Sequence, residues 1–69
     1  MYIVIELQKS ADGSVASIVT NHENFNQAES NYYSCLAAAA ISSVPRHAVV
    51  MLQDNGMALQ SKYYDHPEV

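Results

Sequence analysis

The chain has 69 residues, of which 49% are hydrophobic and 14% charged, with a net charge of −4 at pH 7. A chain this short buries only about 60% of its unfolded surface, so residues 1–69 make a single domain with a thin stability margin. Its one cysteine excludes an internal disulfide, no Cys/His cluster suits a structural zinc, and three scattered cations (Lys9, Arg46, Lys62) disfavour nucleic-acid binding.

Residues 1–8, MYIVIELQ, alternate as a strand requires. Met1, Ile3, Ile5 and Leu7 point one way, and Tyr2, Val4, Glu6 and Gln8 the other. The Asp12-Gly13 pair predicts a hairpin turn, since glycine accepts positive φ without steric cost. SVASIVTN, rich in β-branched residues, then predicts a second strand antiparallel to the first.

A helix is expected from about Gln27 to Ser43, with Asn26 as N-cap, Glu29 completing a capping box and Phe25 as a staple. Pro45 ends it by disfavouring helical geometry in the residue ahead. RHAVVMLQ predicts a third strand. Its continuous apolar stretch from Ala48 to Leu52 places it centrally or under cover on both faces. Asn55-Gly56 predicts a turn, MALQSKYYD a fourth strand, and HPEV a frayed tail.

The predicted fold class is α+β: a ββαββ chain forming a four-stranded, mainly antiparallel sheet with one helix packed on one face. One helix covers one face. The other is expected to carry Tyr2 and Val4 and to be partly apolar, which predicts a homo-oligomer, a dimer or higher. The helix has a wide apolar arc, and its Ala37–Ala40 run allows a close approach by the sheet or by a partner helix. Tyr2, Val4, Tyr32, Cys35 and Ala39 are the candidate interface residues.

Chemistry is sparse. Cys35 falls mid-helix with no neighbouring cation to lower its pKa, so it reads as a small, partly buried hydrophobe. Each tyrosine pair, Tyr32-Tyr33 and Tyr63-Tyr64, should split into one core and one exposed ring. His22, His47 and His66 share no metal-ligand spacing and are read as solvated or turn residues. The start of strand 3 and the end of strand 4 should be neighbours, which makes Arg46, His47, Lys62 and Tyr64 the candidate pocket for an anionic or nucleotide-like ligand. No phosphate loop, GxSxG or HExxH occurs, so no catalytic residues, cofactor or metal are expected.

No apolar run reaches the about 18 residues of a membrane span. The opening MYIVIELQ lacks the basic region of a signal peptide, and with a free thiol this leads to an expected cytoplasmic location in the host cell. The combination "MYIVIELQ…ADG", "NQAES.Y…LAAAA.SSVP.HA" and "KYYDH" resembles a family of small proteins of unknown function from Gram-positive (Firmicutes) gut bacteria and their prophages. That resemblance spans nearly the whole chain and implies a compact phage-associated protein that acts by binding. The expected function is therefore a non-catalytic, oligomeric interaction module with a host or phage protein partner, in an anti-defence role for example. The alternatives are a virion assembly accessory and a small-molecule binder.

Overall fold

The computed structural model describes residues 1–66. The elements run β1 (Tyr2–Lys9), β2 (Val15–His22), α1 (Phe25–Ala40), β3 (Arg46–Gln53) and β4 (Ala58–Asp65). They form a four-stranded sheet in the order β2-β1-β3-β4, with every adjacent pair antiparallel. The α+β, ββαββ expectation holds, and β3 is central as its apolar run implied. Because β2 and β3 both run against β1, they are parallel to each other, and α1 is the crossover that carries the chain over β1 from one to the other.

Both hairpin turns are built the same way. Gly13 (φ 90°) and Gly56 (φ 89°) take positive φ, which a side chain would resist. The preceding residue braces the loop: Asp12 Oδ1 accepts from the Ser14 N–H at 2.9 Å, and Asn55 Oδ1 from the Met57 N–H at 3.0 Å. Between β3 and β4 the register slips at Met51/Leu52, so that Leu52 opposes Ala58 and Leu59 is the extra residue of a bulge.

The helix begins two residues earlier than expected. Asn24, in extended geometry, is the N-cap, and its Oδ1 accepts from the Asn26 N–H at 2.7 Å. Asn26, the expected cap, lies inside the first turn. Replacing Asn24 with alanine orphans that donor and is expected to cost about 1 kcal/mol. In a domain this size that is a fall of about 4–8 °C in Tm, measurable by calorimetry. The helix also stops earlier, at Ala40. The Ile41 and Ser42 N–H groups then close it by donating to the Ala38 and Ala39 carbonyls respectively, well short of Pro45.

The tail expectation is corrected in part. His66 is held: its N–H donates to Pro45 O at 2.7 Å, and its Nε2 lies 2.8 Å from Ala39 O at the helix end. A carbonyl only accepts, so Nε2 is the protonated ring nitrogen. The rest of the predicted frayed tail, residues 67–69, lies outside the described residues.

The core is small. Val4, Ala28, Tyr32, Ala39, Val49 and Met51 are its buried apolar members, with Tyr2, Cys35, Leu36 and Tyr64 packed against them. Along α1 the buried positions Ala28, Tyr32 and Ala39 recur at helical spacing, and alanine at two of them lets the helix lie close on β1 and β3. The tyrosine pairs split as expected: Tyr32 is buried and Tyr33 exposed, while Tyr64 packs on the core and Tyr63 is exposed.

Candidate functional site

Strand alternation sorts every sheet residue onto one of two faces, and the helix chooses between them. On the helix side β1 contributes Tyr2, Val4 and Glu6, and β3 contributes His47, Val49 and Met51. The expectation that Tyr2 and Val4 lie on the outer face is therefore corrected. Val4 is 1% exposed, and Tyr2 meets Phe25 at the helix start with ring centroids 5.3 Å apart. Tyr32 and Ala39, also expected at an interface, are core residues, and Cys35 is half-buried beneath the helix. None of these five forms an outer surface.

The open face carries the more apolar side of β1. Ile3, Ile5 and Leu7 pair across to Leu52, Val50 and Ala48 of β3, so six apolar side chains form a continuous central stripe. Ile5 and Val50 are direct cross-strand partners at its middle. Val19 on β2, beside Ile5, is 55% exposed, and Tyr63 on β4, beside Ala48, is 61% exposed. Ser17 flanks the stripe on β2 and Ser61 on β4. A depression of about 380 Å³ opens on this side among Ala48, Val50, Ser61, Lys62 and Tyr63.

The predicted ligand corner is divided between the two faces. The ends of β3 and β4 are neighbours as expected, with His47 opposite Tyr64 and Arg46 opposite Asp65. On the helix side, Lys62 Nζ sits 5.1 Å from the centre of the Tyr64 ring. Arg46 lies on the other face, where its Nε donates to Asp65 Oδ1 at 2.7 Å and its guanidinium lies 5.4 Å from the Tyr63 ring centre. Lys9, which sequence reasoning passed over, is the cross-strand neighbour of Arg46. These two cations rim a cavity of about 460 Å³ together with Asp12 and Asp65, whose carboxylates offset them. The arrangement gives no net positive pocket for an anion.

His47 departs most from expectation. It is not solvated: it is 4% exposed beneath the helix, and neither ring nitrogen has a hydrogen-bond partner among the described residues. Its nearest charged neighbour is Glu6, with Nε2 3.5 Å from Oε2. Glu6 in turn accepts from Gln8 Nε2 at 2.9 Å. Burial, and then the nearby Glu6 carboxylate, push the Cys35 thiol above the usual cysteine range. A raised pKa means less thiolate at neutral pH, the reverse of what a nucleophile needs. Alkylation of native protein by iodoacetamide, followed by mass spectrometry, is expected to be slower at neutral pH than for a cysteine peptide and to rise only at more alkaline pH.

Among the described residues no group of three His, Cys, Asp or Glu side chains is placed to hold a metal, and no helix is long and apolar enough to cross a membrane. Fold and site together define a class: a small α+β domain whose single helix seals one face of a sheet and leaves an apolar face uncovered. Compared with known proteins, the chain matches no protein-family model, no curated protein and no solved structure.

Proposed function

We propose that this protein is a non-catalytic, oligomeric protein-interaction module, phage- or prophage-encoded, that acts on a host or phage protein by binding. The observation that carries the reading is the placement of Ile3, Ile5, Leu7, Ala48, Val50 and Leu52 on the face opposite α1. A strand that turns its most apolar side away from its own helix gains nothing by doing so in isolation, because that side then meets water. A thiol with a raised pKa and an imidazole sealed beneath the helix support the absence of catalysis.

A photo-crosslinking residue at position 50, in the cell that encodes the protein, tests this. Covalent adducts, to a second copy or to another protein, are expected from position 50 and not from position 34, on the exposed polar side of the helix. An absence of adducts from position 50, or equal yields from both, rejects the reading.

A further inference from the structure

Resting on that reading, we infer that the open sheet face is covered by a second copy of this chain, packed face to face as a two-fold β-sandwich.

Strands of 8 residues rise about 3.3 Å per residue, and four of them lie about 4.8 Å apart, so the face spans about 26 by 19 Å. Its flat footprint is about 500 Å², and two such footprints give about 1,000 Å², where specific interfaces begin. The full face is therefore needed to reach that threshold. A partner seated on part of it falls short, whereas an identical sheet matches its length and width.

The chemistry is self-complementary in the same sense. The apolar stripe runs along the two central strands, and Ser17 and Ser61 stand outside it on the two edge strands. A two-fold axis past the Ile5/Val50 centre lays stripe on stripe, and Val19 and Tyr63 on the edge strands extend the apolar core that the two copies would share. The stripe is built from Ile, Leu, Val and Ala, the short side chains that fill the about 10 Å between stacked sheets. The charged side chains of this face, Lys9, Arg46 and Asp65, gather at one end of it, clear of that centre.

The second copy also offsets a deficit in the subunit. Among the described residues only six apolar side chains are buried in the lone chain, and a domain below about 70 residues with a single cysteine needs another source of buried area.

The test uses the wild-type protein. Size-exclusion chromatography with light scattering across the micromolar range is expected to give twice the 7.6 kDa chain mass. Isotope-filtered NMR of mixed labelled and unlabelled protein is expected to show contacts between copies at the Ile5, Leu7 and Val50 methyls. Val50→Lys places two cations at the two-fold centre and should weaken self-association by about 100-fold, while Ser34→Lys leaves it unchanged. The wild-type NMR contacts decide the matter even if Val50→Lys fails to fold. A monomer throughout the range, or a dimer whose contacts lie on α1 or a strand edge, overturns the inference. A monomer that still forms adducts from position 50 in cells overturns the second copy alone and leaves the binding reading standing.

Discussion

Met51→Ala is expected to leave the chain largely unfolded at room temperature, while Met51→Leu remains folded. Met51 is fully buried in central strand β3 and is among the largest side chains in the core. Truncating a buried methionine to alanine costs about 2–5 kcal/mol, from lost burial and from the cavity left behind. A single core in so short a chain supplies no more than about 3–5 kcal/mol. The two quantities are of the same size, so the deletion consumes the margin. Leucine keeps the volume and costs less than about 1.5 kcal/mol. Urea unfolding followed by circular dichroism, at one fixed protein concentration because self-association shifts apparent stability, separates the outcomes. A folded Met51→Ala protein with an unchanged midpoint would show that the core beneath α1 does not hold the domain together.

The second large effect has the opposite sign. The double replacement Glu6→Leu/His47→Leu is expected to stabilise the protein by about 1–4 kcal/mol. His47 is buried with both ring nitrogens unpaired, and the 3.5 Å approach of Glu6 is too long for a strong hydrogen bond. Each unsatisfied buried polar group costs about 1–3 kcal/mol, and a leucine of comparable bulk removes the debt without opening a cavity. Replacing Glu6 alone is expected to be worse than the double change, because it takes away the ring's nearest charged neighbour and the acceptor for Gln8. A thermal-denaturation cycle over the four proteins measures this. A double variant less stable than wild type would mean that the Glu6–His47 contact stabilises the fold beyond what its geometry provides.

Both effects arise beneath the helix, and there the limits of legibility were sharpest. Alternation in MYIVIELQ divides β1 into two sides but does not say which one the helix will cover. That choice follows from strand order and from the preferred hand of a crossover between parallel strands, neither of which is written in a single strand. The consequence was a reversed assignment of Tyr2 and Val4, and with it the misplacement of His47 as solvated. The helix start was displaced for a local reason. Asn24 and Asn26 are equally good caps by residue type, and the one used is the one whose backbone stays extended.

Much of the architecture depends on short-range physics and was decided by the amino-acid order alone. Period-two alternation defined the strands, Asp12-Gly13 and Asn55-Gly56 placed the turns, and an alanine-rich run made the helix, because each depends on neighbours a few residues away. Strand order, the bulge at Leu59, the division of Arg46 from His47, Lys62 and Tyr64, and the apolar stripe of Ile3, Ile5, Leu7, Ala48, Val50 and Leu52 came only from tertiary structure. Each depends on which distant segments meet. The stripe exists because β1 and β3, separated in the chain by a hairpin and a helix, lie side by side and turn the same kind of side chain away from α1.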